Sequence, residues 1–538
     1  MDLVNSHMPM AWQKFHFTEH DWNYDTEPQK HANNRVIHLP RGRFLSGCSG
    51  LNGTIITRGC KADYDEWEAL RNPGWSWNDV LPLFKKSERF IPTEGFGAAT
   101  EYHGTDGQLV TTVHPQAPIS DAMLDSYINK GISYRPDMFV QGEGEGVGHV
   151  TRTVHEGVRT SGADFVNKNP PANLHVLLET TVLRVVLESL PDSESTDSSK
   201  YRAIAVEAES KIKADGDAVK LITLRGKKEI IISAGAYNSP CILMHSGIGP
   251  KDHLEECGID VKVDLKSVGQ NLSDHPSVFQ FYLLKSKMTY DHVIYPLEWL
   301  ESKSGILGRF PFGPFVFLRL DKLMEDKPEW KAAKEKNPEK DPMGQLPGQP
   351  HVEYFSTELY GGGPQHSDLP TKGESCFAVI TMLCGTRSRG SIRLNGSDPH
   401  GKPKIDHNYL ANELDVAVLA EGCRYVNEIV TEGAGTREHI TGPWPTTRAH
   451  PNGDEQWKEY VRQQAGTCYH PASTCKMGPD EDEEAVVDPR LRVRGIKSLR
   501  VADISIMPKL NNGHPQAPAY MIGEKAAQLI LEDNRIIG

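Results

Sequence analysis

Three consecutive β-branched residues, Ile230-Ile231-Ile232, lead into Ala234-Gly235-Ala236 and then Asn238-Ser239-Pro240. An unbroken apolar run suits a strand covered on both faces, as in a parallel sheet. A polar residue followed by proline reads as a helix cap and first helical position, here Ser239 and Pro240. A strand passing straight into a helix is the building unit of an α/β sheet. Further short β-branched or apolar runs predict strands at 174–178, 182–187, 219–224, 377–383 and 391–394. Two helices are predicted near the C-terminal end. The segment 412–432 carries Leu414, Val416, Val418, Leu419, Cys423, Val426 and Ile429 on a broad apolar face, and 517–533 carries Met521, Ile522, Leu529 and Ile530. The expected class is α/β, or α+β overall.

At 538 residues the chain is long enough for three or four units, or for one or two large interleaved domains. A net charge of −13 repels polyanions, so no nucleic-acid partner is expected. No apolar run reaches the roughly 18 residues that span a bilayer, so no membrane partner is expected either. Met1–Trp12 shows no secretory pattern, which favours the cytoplasm. The nine cysteines are odd in number and include no CxxC pair, which speaks against a disulfide scaffold or a metal site and for buried thiols. The polar stretches 189–200 and 325–350 read as surface loops.

Residues 46–53 (Ser-Gly-Cys-Ser-Gly-Leu-Asn-Gly) are mostly small, so this backbone can approach a flat ring or a pyrophosphate closely and aim N–H groups at it. The segment belongs to Gly42–Gly53, followed by Asp63-Tyr64-Asp65-Glu66-Trp67. Other short segments follow in order: Gly235–Pro240 with Ser246–Pro250, Asn271–His275, and a C-terminal set of Tyr469-His470-Pro471, Val501-Ala502-Asp503 and His514–Pro518. Taken together, in order and spacing, they resemble the glucose–methanol–choline (GMC) oxidoreductases over nearly the whole chain. Ser46 stands where that family usually has glycine, and Cys48 where it usually has serine or another small residue.

The resemblance implies a flavin-binding Rossmann-like domain from discontinuous pieces, 1–115, 160–275 and 480–538. It also implies a substrate domain over 276–480 with an antiparallel sheet and helices. FAD is the implied cofactor, and Cys48, Asn52, Gly53 and Ile55 would lie along it. Val182 would meet the adenine end, Arg500, Val501 and Asp503 the pyrophosphate and ribityl region, and Gln516 and Ala517 the ring. The implied reaction is oxidation of a small-molecule alcohol, with oxygen or another acceptor taking the electrons.

His470 and His514 carry the implied catalysis. An alcohol yields hydride easily only as its hydroxyl proton is lost, and a neutral imidazole can take that proton. A second side chain can hydrogen-bond the developing alkoxide. His470 is assigned as the base and His514 as its partner.

Relatives of this kind open with a strand, a GxGxxG turn and a helix that seats the pyrophosphate. No GxGxxG occurs here; Gly142–Gly148 has the wrong spacing and carries Glu143 and Glu145. The expectation is therefore an incomplete flavin domain lacking its first βαβ unit, through a truncated gene or a splice form. The competing readings are a flavin-poor pseudoenzyme or inactive fragment, and a flavin-assisted lyase or cyclase on the same scaffold.

Overall fold

A computed structural model describes the protein except for residues 1–3, 168–169, 192, 194–198, 212–218, 292–295, 362–373, 446–450 and 537–538. Its largest sheet is antiparallel. The strand order is Ile440–Pro443, Pro276–Leu284, Ser375–Leu383, Val352–Thr357, Phe312–Leu318 and Gly146–Gly148, and Gly466–Thr467 also pairs with Pro276–Leu284. All nine residues of Ser375–Leu383 are buried. Side chains alternate across a strand. Phe377, Val379 and Leu383 therefore pack with helix Glu413–Glu432, while Ala378, Ile380 and Met382 join Phe315, Phe317 and Phe355 on the other face. The continuous apolar run follows from cover on both faces. The helix begins where predicted, with Asn412 Oδ1 accepting from Leu414 N at 3.0 Å.

The second architectural part joins distant segments. Ile230–Ile232 pairs in parallel with Leu499–Val501, and the meander of Thr180–Ser189, Ser199–Lys211 and Val219–Arg225 adds Gly495–Lys497 in parallel. The second predicted helix spans Gln516–Ile536.

Four expectations need correction. Ile230 and Ile232 are buried, but Ile231, whose side chain points to the opposite face, is 43% exposed, so only one face of the strand is fully covered. The helix after it starts at Gly235, and Pro240 sits inside it. Proline there leaves the carbonyl four residues back without its usual donor. Thr474 Oγ1 donates to that carbonyl, Ala236 O, at 2.6 Å. Ser239 Oγ instead accepts from Ala234 N (3.0 Å) and donates to Asp503 Oδ2 (2.5 Å). Segment 174–178 forms no strand, and Leu174, Val176, Leu177 and Leu178 are exposed, with no sheet partner among the described residues. Finally, 325–350 contains helix Pro328–Lys336, anchored by buried Trp330. Of the 189–200 stretch, residues 192 and 194–198 lie outside the described residues.

A buried charge cluster braces the chain just past the glycine segment. Glu88 Oε2 accepts from Arg58 Nη2 (2.9 Å) and Gly104 N (3.1 Å) and meets His103 Nδ1 at 3.0 Å, while His103 Nε2 meets Asp137 at 3.0 Å. Burial alone would raise the Glu88 pKa. His103, Arg58 and the Gly104 N–H outweigh it and bring the carboxyl from 4.5 down to about 2. A depressed carboxyl stabilises the fold above its unfolded pKa and loses that contribution as pH falls toward the folded value. Removing one partner of a buried pair costs about 3–5 kcal/mol. Glu88→Gln is expected to lower the urea denaturation midpoint by that equivalent at pH 7. Wild-type stability should fall below pH about 4.5, and the variant's acid limb should be shallower; an unchanged midpoint would refute the brace.

Candidate active site

The glycine segment folds into a tight turn at Gly47–Gly50, with Gly47 at φ 52. A Cβ on Gly42 would overlap the Gly47 carbonyl, and one on Gly50 would overlap Ser46 and Phe44. The small residues are thus needed for the turn to close on itself. Beyond it, Cys48, Asn52, Gly53 and Ile55 line a cavity of about 630 Å³. Asn52 is locked there. Its carbonyl and Oδ1 accept from Arg159 Nη1 at 2.7 and 2.8 Å, and its Nδ2 donates to Gln516 Oε1 at 2.8 Å. The last bond ties the turn to the start of the C-terminal helix. Phe279, Phe310, Phe312 and Phe355 also line the cavity.

His470 and His514 line the same cavity, with ring centroids 4.7 Å apart and planes at 80°. Tyr469, just before His470, holds φ 66, a left-handed conformation unusual for a non-glycine residue. Asp274 holds that loop in place: its Oδ1 accepts from His470 N and His275 N, both at 2.8 Å, and its Oδ2 from Thr467 Oγ1 (2.6 Å) and Tyr409 Oη (2.5 Å). His514 N donates to Thr57 Oγ1 at 2.8 Å, and its ring packs edge-on against Phe315 and Phe355. Its Nε2 lies 3.5 Å from the buried Glu353 Oε1.

Burial, with His514, His275 and Arg41 nearby, holds the His470 pKa well below the ordinary 6.5. The imidazole is neutral at physiological pH, as a proton acceptor must be. Cys468 Sγ and one nitrogen each of His470 and His514 lie within 4.8 Å of one another. Burial and Glu353 push that thiol pKa up, against the thiolate form that binds metals.

The other expected contacts are not brought to this cavity. Val182 sits in Thr180–Ser189 opposite Ala208 and is 37% exposed. Val501 is fully buried in its strand, and Ala517 is buried in the first turn of its helix. Asp503 caps the turn Ile504–Ile506 and accepts from Gly235 N at 2.9 Å. The Arg500 guanidinium is taken by Glu229 and Asp533. Sequence reading assigned no role to Arg41, Asp274, His275 or Glu353. His275 and Asp274 stand within the singled-out Asn271–His275 segment, whereas Glu353 gave no local signal.

Two family models described as GMC oxidoreductase match residues 13–277 and 386–523. The expectation of a missing N-terminal dinucleotide-binding unit gains no support from the first match. Glucose dehydrogenase [FAD, quinone] of Drosophila melanogaster is 34% identical, over 98% of this chain and 80% of its own length. Oxygen-dependent choline dehydrogenase of Sinorhizobium fredii is 33% identical, over 97% of this chain and 87% of its own. Among solved structures, formate oxidase superposes with a TM-score of 0.90 at 27% identity, covering 100% of this chain and 92% of that one. A fungal aryl-alcohol oxidase gives 0.77 at 25% identity, covering 95% and 89%. On the two family matches and on relatives spanning almost its whole length, the chain belongs to the GMC oxidoreductase family.

Proposed function

We propose that this protein oxidises a small-molecule alcohol with FAD, using His470 as the base and His514 to steady the developing alkoxide. The observation that carries this reading is the pair of imidazoles 4.7 Å apart on a cavity whose wall includes the glycine turn. The relatives named above are dehydrogenases and oxidases, which favours oxidation over the lyase, cyclase and inert-fragment readings. In the same proposal, 1–115, 160–275 and 480–538 form the flavin half and 276–480 the substrate half.

The cavity residues fit a flavin ring. The small residues of the turn at 47–50 would leave room for it, and Asn52 and Gln516, which line the cavity, would help to hold it. Arg41 lines the cavity, and its buried Nε has no hydrogen-bond partner among the described residues. That cation suits negative charge gathering on a ring that accepts electrons. When bound, FAD supplies the two-electron acceptor for the hydride. The chain's own part is to orient the alcohol against the aromatic wall, to take its proton at His470 and to hold the oxygen beside His514. Such general-base help is worth roughly 10²–10⁴-fold.

The pyrophosphate is served less well. The sequence has no GxGxxG turn, and Arg500 is engaged elsewhere. Charge-assisted hydrogen bonds of about 1.5–3 kcal/mol each are then missing from FAD binding. The purified 538-residue protein should lose FAD on desalting and regain absorbance with excess FAD. A stoichiometric flavin band that survives desalting would contradict this.

Two kinetic outcomes are expected with excess FAD under anaerobic conditions. His470→Ala should slow flavin bleaching by an alcohol about 100-fold or more, with bound flavin unchanged. The wild-type bleaching rate should not drop as pH falls from 8 to about 6.5, because the depressed His470 pKa keeps its base form available there. An acid limb centred near 6.5 would remove His470 from the role of base.

A further inference from the structure

A second cavity, of about 280 Å³, is lined by His275 together with Asp63, Glu66, Arg389, Lys509 and Asn512. His275 is therefore placed between two spaces: it lines this polar cavity, and its Nδ1 lies 3.0 Å from the Nδ1 of His470, which lines the first. The two rings meet edge-on, with centroids 5.3 Å apart and planes at 89°. Exposed Arg387 and Gly344 also line the second cavity, so it opens to solvent.

We propose that His275 is a relay residue that carries the substrate proton from His470 out of the active cavity into this second, water-accessible one. The inference rests on the oxidoreductase reading above and adds to it a route for the proton.

Tautomers dictate the direction. Two Nδ1 atoms in hydrogen-bond contact need one proton between them. If His470 is to accept at Nε2, its own proton must sit on Nδ1, and His275 must accept there and carry its proton on Nε2. As the substrate O–H bond breaks, its electron pair stays on oxygen and the proton joins His470 Nε2. The Nδ1–H bond of His470 then breaks as one forms on His275 Nδ1. The His275 Nε2 proton leaves for water in the second cavity. One proton enters the chain and one leaves it, and no charge accumulates on either ring. Oxygen or a quinone takes up protons when it reoxidises the flavin, and a proton moving the opposite way resets both tautomers without a ring flip.

The surroundings favour a neutral relay. Burial is the main cause that lowers the His275 pKa, to about 3. Asp274 opposes it, and His514 and Arg389 add to it. His470 is lowered by burial and then by His514, His275 and Arg41. A lasting positive charge on either ring is therefore disfavoured, whereas concerted transfer avoids one. The second cavity also holds an acceptor: burial raises the Asp63 pKa to about 7, although it accepts from Cys60 N, Asn512 and Gln349.

The test follows flavin bleaching and proton release together, anaerobically, in weakly buffered FAD-loaded protein with a pH indicator and an alcohol that bleaches the flavin. In wild type the two traces should coincide. His275→Gln keeps an acceptor for His470 Nδ1–H, and so its orientation, but cannot pass the proton on. In this variant His470 must hold the substrate proton as a disfavoured imidazolium, so bleaching should slow at least tenfold and proton release should lag behind even that slowed bleaching. Release that keeps pace in the variant overturns the relay alone; failure of every alcohol to bleach wild-type flavin overturns the oxidoreductase reading and the relay with it. A second readout needs neither turnover nor a variant. In ¹⁵N-histidine NMR of the resting holoprotein, His470 should be the Nδ1–H tautomer and His275 the Nε2–H tautomer, and the reverse pair overturns the proposal.

Discussion

The Asp274 carboxylate collects backbone donors from His275 and His470 and hydroxyl donors from Thr467 and Tyr409. A buried carboxylate is tolerated only when its oxygens are well satisfied, and here one donor is the next residue, His275, while the other three come from Tyr409 and the distant 467–470 loop. The same contacts that make the carboxylate tenable fix the 467–470 loop against the end of the Asn271–His275 segment. The position of His470, its contact with His275 and the left-handed turn at Tyr469 all follow from that one group. If it were lost, the burial that keeps these imidazoles neutral would remain, but the geometry would not.

The site is assembled at the meeting of two different kinds of cover. On one side the antiparallel sheet presents residues of its strands, Phe279, Phe312 and Phe355 among them, so the wall is aromatic. On the other side lies a glycine turn held by Asn52, Arg159 and Gln516, where backbone itself forms the surface. Polar groups, His470, His514, Asn52 and Gln516 among them, share this lining with the aromatic rings, which is how binding sites gain specificity.

Much of this was readable in the chain. The small residues at 46–53 marked the segment that forms the turn, where a Cβ on Gly50 would overlap Ser46 and Phe44. The apolar face of 412–432, with Asn412 ahead of it, predicted its helix to within one residue. Other readings failed for identifiable reasons. Pro240 looked like a helix start because local rules cannot see Thr474, whose hydroxyl supplies the donor that proline lacks. Leu174–Leu178 has the composition of a strand, but a strand exists only where a neighbouring backbone completes its hydrogen bonds. Ile231 shows the same limit, being apolar in sequence yet exposed on one face.

By itself, the sequence determined the chemistry on offer: a mixed α/β chain, a run of small residues at 46–53, and two histidines in segments that resemble those of a known oxidoreductase family. Those properties are local, set by side-chain size, periodicity and residue type. Tertiary structure alone decided which charges are spent on structure and which face a cavity. Arg500 is paired with Glu229 and Asp533, whereas Arg41 lines the active cavity and donates to the Tyr469 carbonyl at 3.0 Å. It also decided that His275, distant from His470 by 195 positions, touches it at 3.0 Å. Long-range contacts of this kind depend on how sheets and loops pack, and no short window of sequence records that packing.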